Sequence, residues 1–426
     1  MAITSDTQFQ PLSIHSLAEI LGLTIKQDEQ NKVVTFLCEL SAYTDNAQFN
    51  ISYNAPSSTG KSFIPLQIAS LFPDEDVIKL GNCSPTAFFH EQGDYNKETN
   101  VITVDLSRKI LIFLDQPHNL LLERLRSLLS HDQKQMTSKI TDKNQRGGNR
   151  TKTVIINGYP AVIFCTAGLK IDEQEGTRFL LLSPEVSQDK IRQGVQEKVR
   201  KEADNDSYKS WLDGNLNRHL LKARIQAIKE VGIEEIRLTE PEKISERYLK
   251  QRKFLKPRHQ RDVGRLLAII KALTLLNFWW RERDKFTITA NKDDVEEGFA
   301  LWDKISESQE LNLPPYIYKL YHEVIIPAWE TKQALGEGLT RQDVSQKHYE
   351  VYGRMVDSQQ LRQQILPMLE TAGLITQEPD PSDKRKLLIY PTTTTTIPEP
   401  QNNSGSKGGV SNEIASHELV GEDIPF

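Results

Sequence analysis

Phe49-Asn-Ile-Ser-Tyr53-Asn-Ala55-Pro56-Ser57-Ser58-Thr59-Gly60-Lys61-Ser62, running on into Phe63-Ile-Pro-Leu-Gln-Ile-Ala-Ser-Leu-Phe72, decides how this chain is read. The first five residues are β-rich, the last ten have helical apolar spacing, and the segment between them ends in Gly-Lys-Ser. Strand, loop and helix in that order are the setting in which such a loop binds phosphate. Backbone N–H groups turn inward around the phosphates, a lysine reaches the β- and γ-phosphates, and a hydroxyl ligates Mg²⁺. Residues 55–62 are therefore the candidate ATP-binding loop, with Lys61 as the phosphate cation and Ser62 as a Mg²⁺ ligand. Ala55 stands where these loops usually carry a first glycine and is small enough for a related turn. The competing reading is a serine-rich turn with a chance Gly-Lys-Ser.

Two further apolar runs end in polar residues suited to the same chemistry. Lys109-Ile-Leu-Ile-Phe-Leu-Asp115 carries a carboxylate to a strand tip, where it would sit beside Mg²⁺. The next residue in many such ATPases is a glutamate that polarises the attacking water. Here it is Gln116, which cannot accept a proton at neutral pH, leaving Glu91 and Glu123 as alternative bases. Pro160-Ala-Val-Ile-Phe-Cys-Thr166 ends in a hydroxyl that either senses the γ-phosphate or is simply a strand-forming threonine. Short β-rich runs alternate with helical or loop segments from Phe49 to Ser183, which predicts an α/β core with a mostly parallel sheet covered by helices.

At 426 residues with 38% apolar content, the chain is long enough for two or three modest cores. The pattern divides it into a helical segment (1–45), a nucleotide-binding core (46–186), a charged helical lid (187–311) and a C-terminal module (312–391). Three helices followed by the strand pair around Pro379-Asp-Pro-Ser-Asp-Lys384-Arg385-Lys386 read as a winged helix in that module. Residues 392–426 are too polar and Gly/Ser/Asn-rich to offset chain entropy, so a disordered tail is expected. The formal net charge of −5 means that nucleic-acid contact has to come from local basic patches. Cys38, Cys83 and Cys165 stand far apart with no paired spacing, so neither a zinc site nor a disulfide framework is expected. The N-terminus lacks an export pattern, and the apolar stretch from Leu266 to Trp280 falls short of the roughly 20 residues a membrane span needs. A cytoplasmic protein with no membrane partner is the expectation.

The order of phosphate loop, acidic strand, hairpin, sensor strand and Thr177-Arg178-Phe179 resembles the minichromosome-maintenance helicases of the AAA+ class. That resemblance implies an ATP- and Mg²⁺-dependent motor working in DNA replication as a homo-oligomeric ring, a hexamer in that family. It makes Arg178 the finger that reaches a neighbouring subunit's γ-phosphate, where a fixed guanidinium stabilises transferring charge; the alternative is an arginine capping a sheet edge. It likewise makes Arg261 the second sensor, with Arg258 and Arg265 as neighbours able to take that role. Within Lys139-Ile-Thr-Asp-Lys143-Asn-Gln-Arg146-Gly-Gly-Asn-Arg150-Thr-Lys152 it places a channel hairpin, whose Lys143, Arg146, Arg150 and Lys152 have the chemistry for DNA phosphates. A solvated loop is the plainer reading. In the C-terminal module, Thr340 is expected to cap a helix, and Lys384, Arg385 and Lys386 at the wing tip either meet duplex DNA or serve protein docking.

Glu422-Asp423-Ile424-Pro425-Phe426 resembles the acidic tip of bacterial single-stranded-DNA-binding proteins. This implies docking on host replication proteins that read that tip, against the alternative of a merely solubilising end. A replication initiator or loader with slow hydrolysis, and a non-enzymatic scaffold that recruits partners, are the competing functions.

Overall fold

The computed structural model describes residues 9–81, 84, 88, 93–96, 98–99, 101–115, 117, 119–142, 150–168 and 177–392. Nine strands among these residues make the central part: β1 (Ile51–Asn54), β2 (Val77–Leu80), β3 (Asp94–Asn96), β4 (Val101–Asp105), β5 (Ile110–Phe113), β6 (Gln135–Asp142), β7 (Arg150–Asn157), β8 (Ala161–Thr166) and β9 (Leu180–Leu182). Five of them form an all-parallel sheet in the order β2-β5-β8-β1-β9. β1, β5, β8 and β9 are buried along their whole length. That explains why they read as continuous apolar runs rather than alternating ones.

Each face of this sheet has its own core. On one face lie the helices Ile14–Gly22 and Glu29–Ser41, together with the long helix His259–Leu276 and Trp302 of Lys292–Glu310. The expected N-terminal helices and lid thus share a single apolar core with the sheet. On the other face, Phe113, Phe164 and Phe179 stack in sequence, with ring centroids 4.8 Å apart at both contacts, against the helices 119–129.

The structure departs from the sequence reading in two places. A second, four-stranded sheet in the order β3-β4-β7-β6 stands beside the first. The expected hairpin forms its β6–β7 half, in register from Gln135 opposite Asn157 to Asp142 opposite Arg150. Of its β3–β4 half, Asp94–Asn96 is exposed throughout and has no apolar signal, whereas β4 carries the β-branched run Val101-Ile-Thr-Val104 but buries only Val104 fully. The charged lid is also not purely helical. Glu235–Arg237, Glu282–Asp284 and Thr287–Thr289 pair as a small sheet that buries Ile236 and Ile288.

The C-terminal module has the expected element order. A helical stretch runs from Pro315 to Ala334, followed by Arg341–Tyr352, a third stretch from Ser358 to Thr371, and the antiparallel pair Ile375–Pro379 and Leu387–Pro391. Thr340 and Asp343 close a reciprocal cap at the start of the second helix. In each flanking stretch a widened π turn, Tyr321–Ile325 or Leu361–Ile365, lies just ahead of a proline, Pro327 or Pro367. Widening accommodates the missing N–H and the ring's clash with the preceding turn. Everything described up to Pro391 belongs to one compact unit. Among the described residues no helix is long and apolar enough to cross a membrane. Residues 393–426 of the expected tail, with the tip residues Glu422, Asp423, Ile424, Pro425 and Phe426, lie outside the described residues.

Candidate nucleotide site and the opposite edge of the sheet

Register places the candidate groups. Asn54 ends β1 opposite Thr166 of β8, and Phe113 of β5 lies opposite Phe164, so Asp115 leaves the sheet level with Thr166. The loop, the acid and the hydroxyl therefore share the C-terminal edge of one parallel sheet, where ligands of open α/β sheets bind.

In the loop, left-handed backbone falls at Ser58 (φ 64°) and Gly60 (φ 96°). Ala55 is fully buried and needs no positive φ, so the missing first glycine has no conformational cost. Ser57 and Ser58 are exposed, while Thr59, Gly60, Lys61 and Ser62 are half-buried. Thr59 Oγ1 donates to Pro56 O at 3.0 Å and Lys61 Nζ donates to the same oxygen at 2.9 Å. The lysine thus folds back over its own loop. Burial lowers the Lys61 pKa and the nearby Arg354 guanidinium adds to that, against the opposing influence of Cys165 and Asp115. Asp115 itself is exposed, within electrostatic reach of Lys61.

Thr166 is buried, and its hydroxyl accepts the Gly168 N–H at 3.0 Å. It therefore helps shape the turn after β8 whether or not it senses phosphate. Of the residues weighed for water activation, Glu123 is exposed on the helix Asn119–Arg124, while Gln116 and Glu91 lie outside the described residues.

Arg178 and Arg261 are at the other edge. Arg178 precedes β9, which runs parallel to β1, and so stands at the N-terminal end of the strands. The four residues of β1 separate it from the loop by about 13 Å of strand. Phe179 anchors it by packing edge-on against Phe164, and Arg178 Nε donates to Ser130 Oγ at 2.8 Å. Arg261 reaches across from the long helix His259–Leu276 to Thr177 Oγ1. Both arginines line one cleft of about 410 Å³, together with Asn50, Ser130, His131 and Lys271. The two other lid arginines are committed to a buried carboxylate: Arg258 Nε at 3.0 Å and Arg265 Nη1 at 2.7 Å both donate to Asp262. Burial pushes Arg265 down to about 10, against the pull of Asp262. Of the three candidates, Arg261 is the one exposed in the cleft.

Lys143 and Arg146 of the hairpin lie outside the described residues. Arg150 opens β7, and Lys152 is half-buried on the same strand opposite Ile140. In the turn between the C-terminal strands Ile375–Pro379 and Leu387–Pro391, Lys384, Arg385 and Lys386 are exposed, with Arg385 paired to Asp383 at 3.0 Å.

Several residues around the loop have no motif that singles them out in the sequence. Ser183 Oγ donates to Asn54 O at 2.6 Å, just ahead of the loop, and accepts the N–H of Tyr316 at 3.0 Å. Lys190 Nζ donates to Thr59 O at 3.4 Å and pairs with the buried Asp28. No local pattern marks these interactions, because each joins segments far apart in the chain.

Compared with known proteins, the chain matches no family model, and no curated protein matches it.

Proposed function

We propose that this chain is an ATP-driven DNA motor of the AAA+ class, resembling the minichromosome-maintenance helicases and acting in DNA replication as a homo-oligomeric ring. The observation that carries this reading is the division of the site between the two edges of one sheet. Lys61, Ser62, Asp115 and Thr166 share the edge that holds phosphates. Arg178 and Arg261 share a cleft at the other edge, from which they cannot turn to their own loop. Two arginines held this way suit the nucleotide of a neighbouring subunit, and a repeating head-to-tail contact forms a ring when its rotation closes. The C-terminal helices and strand pair are read as a winged helix.

The residues fit ATP and Mg²⁺. The loop backbone is turned at Ser58 and Gly60, and Lys61 holds a carbonyl that a phosphate oxygen can replace. Mg²⁺ would supply charge neutralisation on the transferring phosphoryl group. Ser62 and Asp115 are the groups of this chain that would hold it.

The test is ATP turnover with no DNA and with single-stranded, duplex and forked DNA. Stimulation by DNA supports the motor; absence of turnover under every condition overturns it. Gln116 after Asp115 favours a second reading, a replication initiator or loader that binds ATP firmly and hydrolyses it slowly. A single burst in place of sustained turnover selects it.

A further inference from the structure

Arg354 of the C-terminal module lies within electrostatic reach of Lys61 in the loop 55–62. Gly353 ends the helix Arg341–Tyr352 with φ 71°, a left-handed residue that turns the chain sharply. That turn is pinned to the start of the helix Gln188–Ala203, where Gln188 Nε2 donates to Tyr352 O at 3.3 Å. The first turn of that helix also carries Lys190, whose ammonium meets Thr59 of the loop. Arg354 follows Gly353.

Its surroundings form a closed circuit. His348 Nδ1 lies 2.7 Å from the Arg354 carbonyl, which can only accept, so Nδ1 carries the proton. Nε2 of the neutral ring then accepts from the Tyr316 hydroxyl at 2.9 Å. Burial lowers the His348 pKa and keeps the ring neutral. The Arg354 guanidinium lies against the same Tyr316 hydroxyl, opposing the rise that burial imposes on it. Tyr316 N–H in turn meets Ser183, which holds Asn54 at the root of the loop. Backbone and side chain of Arg354 are thus both positioned relative to the phosphate loop.

Within that arrangement Arg354 Nη2 is buried and makes no hydrogen bond among the described residues. A buried charged donor without an acceptor is costly, and it stands near a second cation, Lys61, whose charge it disfavours. An anion between the two relieves both penalties at once. Resting on the nucleotide reading of residues 55–62, we propose that Arg354 binds a phosphate of the nucleotide held by its own subunit, so that the C-terminal module completes the site in cis. Nucleoside polyphosphates are the ligand class. The arginines at the opposite edge serve the neighbour, whereas this one serves the home site.

The experiment measures equilibrium binding of ATP, ADP and AMP to the full chain as wild type, Arg354→Gln and Arg354→Lys. Removing one charge-assisted hydrogen bond should weaken ATP binding roughly ten- to a hundredfold in Arg354→Gln, less in Arg354→Lys, and leave AMP affinity unchanged. Equal ATP affinity in wild type and Arg354→Gln overturns the inference. A wild type that binds no nucleotide overturns the site reading beneath it, a distinct result. Hydrogen exchange on the wild type covers the case in which the variant does not fold. ATP should slow exchange at Gly353, Arg354 and Met355 more than AMP does, and unchanged exchange there overturns the proposal.

Discussion

Gln309 closes the open edge of β9 through Leu181: its Nε2 donates to Leu181 O at 2.7 Å and its Oε1 accepts Leu181 N–H at 3.0 Å. Both residues are fully buried, and among the described residues β9 has a strand neighbour only on its β1 side. The side-chain amide does what a sixth strand would do, pairing a donor and an acceptor that would otherwise be orphaned. Gln309→Leu keeps the volume and removes both bonds. At about 1–3 kcal/mol for each unpaired buried group, the loss should be ~2–6 kcal/mol. The midpoint of chemical denaturation checks it, and a midpoint equal to wild type would show that the amide pairing is dispensable.

At the loop, Lys61→Ala removes the proposed phosphate cation and Asp115→Asn a carboxylate within its electrostatic reach. Each should lower ATP turnover by about a hundredfold or more, since charge compensation carries most of phosphoryl transfer. Phosphate release at saturating MgATP is the measurement. Wild-type turnover in either variant rejects the site.

Arg178→Ala separates home from neighbour. Because Arg178 stands at the edge opposite the loop, ATP affinity should stay near wild type while turnover falls by about a thousandfold, the scale of a missing arginine finger. Mixing it with Lys61→Ala should restore part of the activity at interfaces that pair an intact loop with an intact arginine. Full activity at dilutions where the protein is monomeric would show that Arg178 serves no neighbour.

The sequence made legible those features whose signal is local. Gly60-Lys61-Ser62 between a strand and a helix, the apolar run into Asp115, and the Gly-tipped arms of β6 and β7 all carry their pattern within a dozen residues. The parallel sheet followed from runs that are buried on both faces. Beyond local reach were the exposed strand β3 and the three short strands between Glu235 and Thr289, which bury too few side chains to show a period. The choice among Arg258, Arg261 and Arg265 also stayed open, because only the fold reveals that Asp262 engages two of them. Arg354, Tyr316 and Ser183 had no motif, since they converge on the loop through tertiary structure alone.

His131 gives the fold a dependence on acid. Its Nε2 is buried without a hydrogen bond among the described residues, and its ring packs edge-on against Tyr159 at 4.9 Å. Burial lowers its pKa from 6.5 to about 4, against the upward pull of Asp132. Between those values the unfolded chain binds the proton that the folded chain refuses, so stability falls as pH drops from about 6.5 to about 4 and is intact above that window. The contribution is on the order of 3 kcal/mol. His131→Asn tolerates the residue's left-handed backbone (φ 56°) and abolishes the titration. Its stability relative to wild type should therefore rise on going from pH 7 to pH 4.5, as followed by denaturant unfolding; a constant difference would mean that His131 is not held neutral.

The hairpin is tested by salt. Arg150 and Lys152 lie on β7, and Lys143 and Arg146 precede it in the sequence, outside the described residues. If these four cations meet a DNA backbone, each neutralised phosphate releases condensed counterions, and log K falls linearly with the logarithm of the salt concentration. Replacing all four with glutamine should weaken single-strand binding at low salt. It should also flatten the slope of log K against log salt by about 0.7 for each phosphate no longer neutralised, about 3 in all. Sequence preference should not change, because phosphate contacts position the strand without reading it. The β6–β7 ladder is paired along both arms by backbone hydrogen bonds, so these substitutions leave its pairing in place. An unchanged slope in a folded variant would assign DNA binding to another surface, with the exposed Lys384 and Lys386 of the C-terminal strand pair the next to be neutralised.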